Sequence, residues 1–241
     1  MNTQHTLEQL TKLKLAGMEA VYRAVLSMPV HDLPTLHEMA ARMVDAELQN
    51  RAEKKTASFL RMSKLRYNAV LENVYCNAQR NFTKDSLLQL VDCSFIERAE
   101  NVLITGATGC GKSYLGSALG RQACTLGYKT LYFGMPRLIE KIAQSRLDGT
   151  YIKFINQLEK TNLIILDDFG LQPLTTDIRL ALLQILEDGY AKKSVIVTSQ
   201  LPVSKWHQYI GDPTLADAIM DRLAVNSNKI ELKGESLRKK K

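Results

Sequence analysis

A parallel β-sheet with helices on both faces, carried behind a small all-helical domain, is the α/β fold class that this sequence predicts. From Asn101 onward, short β-rich runs alternate with amphipathic helical stretches, the pattern of a sheet built by crossover connections. Residues 4–66 lack that alternation, and their apolar side chains recur at three- and four-residue steps. The expected division is a helical domain over 1–66 and an α/β domain over 67–241 that opens on a connector.

Length and charge set the bounds. A chain of 241 residues holds one domain and a smaller appendage. The net charge of +7 favours a polyanionic partner, nucleic acid first and an acidic membrane surface second. Cys76, Cys93, Cys110 and Cys124 show neither C-x-x-C pairing nor zinc spacing with histidine, which points to a reducing compartment. The N-terminus lacks the apolar core of a signal peptide, and no apolar run approaches the ~18 residues of a membrane span. A soluble, cytoplasmic protein without a membrane partner is expected.

In the N-terminal region Leu7, Leu10, Met18, Val21, Val25 and Met28 form one apolar stripe on a helix that Pro29 and Pro34 break. The stripe is large for so small a domain to bury unaided, so it packs on the α/β domain or docks a partner. Thr35 and Glu38 then have capping-box spacing, ahead of a second helix carrying Leu36, Met39, Met43 and Leu48. That helix runs into a basic stretch, Arg51, Lys54, Lys55, Arg61, Lys64 and Arg66 against Glu53 alone. A solvated face is one reading; the mutual repulsion of six like charges favours contact with phosphates. Residues 67–98 are mixed in pattern and read as the connector. Strands are expected at 101–105, 130–133, 163–166 and 194–199, with Gly127 as a left-handed helix cap.

The chemistry begins at Gly106-Ala107-Thr108-Gly109-Cys110-Gly111-Lys112-Ser113, a full G-x-x-x-x-G-K-S phosphate loop between a strand and a helix. Its glycines let backbone N–H groups curl round a phosphate, and the helix adds its positive N-terminal end. Lys112 then reaches the β- and γ-phosphates of ATP, and the Ser113 hydroxyl ligates Mg²⁺. Leu163–Leu166 followed by Asp167-Asp168 supplies the complementary acids. Asp167 is expected to hold Mg²⁺ through water, and Asp168 to orient or deprotonate the attacking water. A capping role explains one aspartate but not two. Asp168 is one methylene shorter than the glutamate common there. Beyond the next strand, Gln200 or Ser199 can reach the γ-phosphate or the water, and ordinary strand-end capping is the competing reading.

With these residues in place, 95–238 resembles the AAA+ ATPases of the IstB/DnaC group, and most closely the IstB-type helpers of insertion-sequence transposition. The likeness rests on the phosphate loop, Ile164–Gly170, Thr198–Pro202 leading into Trp206, Asp212–Leu223, and Gly234–Arg238. Leu15-Ala16-Gly17-Met18 extends it to the N-terminal region. It implies a P-loop NTPase core of AAA+ type, with ATP and Mg²⁺ bound between the subunits of a ring or filament. Arg222 matches the arginine finger that reaches a neighbour's ATP, and Arg238 the sensor arginine of the same subunit. Residues 135–157, two short helices broken at Asp148-Gly149, lie where the group lines a DNA channel with Lys141, Arg146 and Lys153. Arg51, Lys54 and Lys55 are the N-terminal candidates for DNA contact.

The implied function is an ATP-hydrolysing helper that assembles on double-stranded DNA and directs a co-encoded transposase. A replicative helicase loader of the DnaC type shares the core and stays open. So does a nucleotide-switched DNA-binding module with negligible hydrolysis.

Overall fold

Three helices make the N-terminal part of the chain, and a lysine in the left-handed region sets the turn between the first two. The computed structural model describes residues 2–237 and contains two compact units, Met1–Ser58 and Phe59–Lys241. In the first, α1 (Thr3–Lys12) and α2 (Ala16–Leu26) are separated at Leu13-Lys14-Leu15, where Lys14 has φ +60°. One continuous helix was expected here, so Leu7 and Leu10 lie on one helix while Met18, Val21 and Val25 lie on the next. The break has a local cause: the Lys14 N–H turns back to the Thr11 carbonyl and the Leu15 N–H to that of Leu10, closing the end of α1. It also has a tertiary one. Gly17, at the start of α2, meets α3 (Leu36–Ser63) so closely that a Cβ would stand 2.3 Å from the Ala46 carbonyl oxygen. Its N–H donates to the buried Glu47 carboxylate at 2.9 Å, which Arg51 holds from the other side at 2.8 Å. Helix α3 starts with the expected capping box, the Thr35 N–H donating to Glu38 at 2.9 Å and the Glu38 N–H to the Thr35 hydroxyl at 3.3 Å.

Beyond α3 the second unit is irregular, and this connector runs from Lys64, three residues before the expected start. Lys64 (φ +55°) ends α3, and two single-turn 3-10 helices, Leu71–Asn73 and Ala78–Arg80, lead to α4 (Lys84–Val91) and α5 (Ser94–Glu97). Then β1 (Asn101–Gly106), α6 (Lys112–Thr125), β2 (Thr130–Gly134), α7 (Met135–Leu147), α8 (Tyr151–Glu159) and β3 (Leu163–Phe169) follow. The chain continues through α9 (Thr176–Gly189), β4 (Ser194–Ser199), α10 (Trp206–Ile210), α11 (Pro213–Ala224) and β5 (Ser227–Leu232). The five strands form one parallel sheet in the order β2-β3-β4-β1-β5. The fold class is therefore the one expected, with four strands near their expected places.

Successive strand residues face opposite sides, and both sides are buried. Val102, Ile104, Leu163, Ile165 and Ile196 pack with α6 and the α4–α5 segment. Leu103, Ile164, Leu166, Val195 and Val197 pack with α7, α8, α9 and α11. The fifth strand was not foreseen: Ser227-Asn228-Lys229-Ile230-Glu231-Leu232 is an edge strand in which Leu232 alone is buried, so its apolar signal is weak. Gly127, at φ +89°, closes α6 as expected. Among the described residues no helix is long and apolar enough to cross a membrane.

The Gly17 crossing yields a prediction. Gly17→Ala drives a methyl group into the α3 backbone and should destabilise the N-terminal unit by about 1–3 kcal/mol. Limited proteolysis of the full-length chain should then cut within residues 1–58 far faster than in the unmodified protein. Equal cleavage rates would show that the helices part at no cost.

Candidate nucleotide site

The phosphate loop leaves the C-terminal end of β1, which lies between β4 and β5. Gly109 and Gly111 have φ of +82° and +92°, a region that side chains with a Cβ rarely adopt. Lys112 is buried, and its ammonium donates to the Gly106 and Ala107 carbonyls at 2.8 Å each. The loop is also gripped from outside. The buried Arg80 guanidinium donates to the carbonyls of Cys110 and Tyr75, and the Leu237 N–H donates to the Gly109 carbonyl at 3.0 Å. Ser236 lies so near that a Cβ on Gly109 would stand 2.2 Å from its hydroxyl. Cys110 is a buried, free thiol within this packing.

The acids sit at the end of β3, where the ladder with β4 slips. Leu166 pairs with Val197 and Phe169 with Ser199, so β3 holds one residue more than β4 across this step, and Asp168 takes φ +63°. In a regular strand adjacent side chains point to opposite faces. The bulge instead brings both carboxylates to one guanidinium: Arg66 Nη1 lies 3.1 Å from Asp167 Oδ2 and 3.1 Å from Asp168 Oδ2.

Asp167 is fully buried and also accepts from the Tyr132 hydroxyl on β2 and the Thr198 hydroxyl on β4. Thr198 Oγ1 in turn accepts from the Asp168 N–H at 3.2 Å. Burial, reinforced by the Asp167 carboxylate, pushes the Tyr132 phenol well above its ordinary value, so it stays a donor. Burial opposes the charge of Arg66, but its contacts with Tyr132, Tyr67 and Asp167 outweigh that and raise its pKa. Beneath the acids, Phe169 packs at 4.9 Å from Trp206 and 5.0 Å from Tyr209, and the Trp206 indole N–H donates to the Leu201 carbonyl at 3.0 Å.

One cavity of about 620 Å³ joins these parts. Its wall includes Thr108, Gly109, Gly111, Lys112, Ser113, Asp168 and Gln200, with Arg66, Tyr67, Val74, Tyr75 and Phe82 from the connector. The volume and the mixture of apolar and cationic walls suit a nucleotide. Of the two strand-end candidates, Gln200 faces the loop, accepting from the Thr108 hydroxyl at 2.8 Å. Ser199 is buried and turned away, bonded to the Phe169 carbonyl and the Leu201 N–H.

Arg222 is not part of this cavity. It borders a second one of about 160 Å³ with Tyr190, where its Nε is 2.5 Å from the Glu187 carboxylate and its Nη1 is 3.3 Å from Asp221. Asn101 fixes that end of α11 by donating to the Arg222 and Leu223 carbonyls. Lys141 and Lys153 are exposed on α7 and α8, whereas Arg146 pairs with Asp177 at 3.3 Å and lies over the Tyr151 ring. Lys54 and Lys55 are exposed on α3; Arg51 is held by Glu47. Arg238 lies outside the described residues.

A family model described as IstB-like ATP binding protein matches residues 8–241. The chain belongs to that family. An insertion sequence ATP-binding protein of Sinorhizobium fredii is 41% identical over 234 residues, covering 97% of this chain and 96% of its own. The insertion sequence IS21 ATP-binding protein of Pseudomonas aeruginosa is 29% identical over 98% of this chain and 89% of its own. Among solved structures, the DnaC helicase loader superposes with a TM-score of 0.56 at 18% identity, covering 69% of this chain and 98% of that one. AMPPCP-bound DnaA from Aquifex aeolicus does so with 0.57 at 21%, over 72% and 53%. These structures share the fold of the IstB-like chain, a parallel α/β sheet with a phosphate loop.

Sequence reasoning placed Arg66 in a basic stretch and missed Tyr132 and Arg80. Only the register of β2 beside β3, Gly134 opposite Asp167, puts Tyr132 within reach, and no local motif announces it. Thr198 joins β3 to β4 through a buried carboxylate. Thr198→Val should therefore cost about 1–3 kcal/mol, because Asp167 and the Asp168 N–H lose a partner. A urea midpoint equal to that of the unmodified chain would remove the hydroxyl from this account.

Proposed function

We propose that this IstB-like ATP-binding protein is a Mg²⁺-dependent ATPase that assembles on duplex DNA and directs a partner transposase. What supports hydrolysis most is the convergence of the phosphate loop, Asp168 and Gln200 on one cavity, with Asp167 behind it. The donors Ser113 and Asp167 are a hydroxyl and a carboxylate, the hard oxygen ligands that Mg²⁺ takes when phosphates and water complete its shell. Bound there, Mg²⁺ would supply charge neutralisation across the β- and γ-phosphates.

The chain's own residues do the rest. Gly106–Gly111 cradle the phosphates with backbone N–H groups, and Lys112 exchanges its two loop carbonyls for phosphate oxygens. Asp168 accepts the proton of the attacking water, and Gln200 orients that water against the γ-phosphate. Arg222, remote from its own subunit's cavity, serves a neighbour's ATP and leaves Glu187 when subunits meet. Arg238 is the proposed sensor on the subunit's own nucleotide. Tyr67, Val74, Tyr75 and Phe82 enclose the base.

Asp168→Asn should keep ATP binding while lowering turnover about 10²–10⁴-fold. Lys112→Ala and Arg222→Ala proteins, each inactive alone, should regain turnover on mixing, since each supplies the half-site the other lacks. Full turnover in Asp168→Asn would place the base elsewhere. Absence of recovery in mixtures that still form oligomers would end the trans role of Arg222.

For DNA, the net charge of +7 and the exposed Lys141 and Lys153 support binding through the phosphate backbone, with Arg146, Arg51, Lys54 and Lys55 as further contacts. Affinity for duplex should require ATP, ignore sequence and fall with salt at a slope that Lys141→Gln with Lys153→Gln flattens by roughly one to two. The transposase reading predicts ATPase stimulation by duplex and capture of a co-encoded transposase. Stimulation by single strands with capture of the replicative helicase would replace it with a loader.

A further inference from the structure

The connector supplies the acidic pair with a cation of its own, and that cation competes with the metal. We propose that Arg66 is a positioning residue that holds Asp167 and Asp168 in the nucleotide-free chain and is displaced when a divalent cation arrives with ATP. The inference rests on the Mg²⁺ reading above and deepens it.

Two aspartates brought together by the β3 bulge repel each other, and one of them is fully buried. A single guanidinium nitrogen placed 3.1 Å from an oxygen of each offsets that repulsion. The same arrangement closes Asp167 to other cations. Its Oδ2 already takes Arg66 and the Tyr132 hydroxyl, and its Oδ1 takes Thr198, which leaves little of the carboxylate's acceptor capacity open.

Tyr132 and Thr198 stand on strands whose backbones are hydrogen-bonded to β3 on either side, which keeps both side chains in place. Arg66 can withdraw. It lies two residues beyond the left-handed end of α3, it is 43% exposed, and it borders the cavity. A dication held by Asp167 would add charge beside this guanidinium, and like charges that close repel strongly even at an effective dielectric constant of about 20. Of the two cations, the monovalent one on the exposed segment yields. Lys112 does not play this part, because its ammonium is satisfied by carbonyls of its own loop.

The test is equilibrium binding of a fluorescent ATP analogue, mant-ATP, titrated with MgCl₂, and it requires no turnover. Arg66→Gln, neutral and still able to hydrogen-bond, should reach half-saturation at about tenfold less Mg²⁺ than the unmodified chain, and Arg66→Lys should return close to it. In the unmodified chain, hydrogen exchange over residues 64–75 should rise with ATP and Mg²⁺ but not with ATP in EDTA. This second measurement needs no variant. Mg²⁺-dependent binding with unchanged or greater demand in Arg66→Gln would overturn the role of Arg66 alone, as would exchange that Mg²⁺ leaves unaltered. Binding to the unmodified chain that is indifferent to Mg²⁺ would overturn the metal reading and this inference together.

Discussion

Burying the Asp167 carboxylate is the constraint around which the nucleotide site is arranged. An ion with no solvent contact is costly unless hydrogen bonds and opposite charge replace its hydration. Here the replacements come from three separate segments: Tyr132 from β2, Thr198 from β4 and Arg66 from the connector. The strand order β2-β3-β4 places the first two on either side of the acid, so the topology of the sheet is also the solvation of its buried charge. Thr198 makes this cooperative. Its hydroxyl serves the Asp167 side chain and the Asp168 backbone together, which ties the buried acid to the bulge that turns its neighbour toward the cavity.

The phosphate loop poses the opposite problem. Glycines give it the positive φ values a phosphate cradle needs, and that freedom costs entropy when an anion orders the loop. The structure restricts the loop from outside. Arg80 ties Cys110 to Tyr75, Leu237 ties Gly109 to the C-terminal segment, and Ser236 fills the space that Gly109 leaves. Arg80 makes only carbonyl contacts among its described hydrogen bonds, so none of them sets a carboxylate against it beside the loop. The connector thus delivers two arginines to the site, one to the acids and one to the loop.

Much of this was legible in the sequence. The phosphate loop, the acids after an apolar strand, four of five strands, the capping box at Thr35 and the Gly127 cap all follow from local rules that act over a few residues. What was not legible depends on contacts distant along the chain. Arg66 reads as one charge in a basic run until the fold brings it to residues 167 and 168. The α1–α2 break escaped because Lys14 carries no glycine signal and its cause lies partly at Ala46. The fifth strand escaped because a polar edge strand needs little apolar surface. Gln200 and Ser199 looked equivalent, and the fold separates them by burying Ser199 against the Phe169 carbonyl and aiming Gln200 at Thr108.

Two of the arginines assigned to ATP chemistry, Arg66 and Arg222, share one property: each already has acidic partners within its own subunit. Arg222 pairs with Glu187 and Asp221 at a partly exposed site, where solvent screens such contacts and leaves them weak. Trading them for a neighbour's phosphates is therefore inexpensive, and a phosphoryl group developing charge is the better partner. Arg66 faces one carboxylate that is fully buried, and on the proposed role a stronger cation at the same acid would dislodge it. Under the proposed roles the two exchanges would fall in order. Metal and ATP would first free Arg66 within one subunit, and the filled site would then offer phosphate charge to the Arg222 of the next. A subunit without nucleotide would give its neighbour's arginine no reason to leave Glu187, and this is how weak, exposed ion pairs can make assembly depend on ATP.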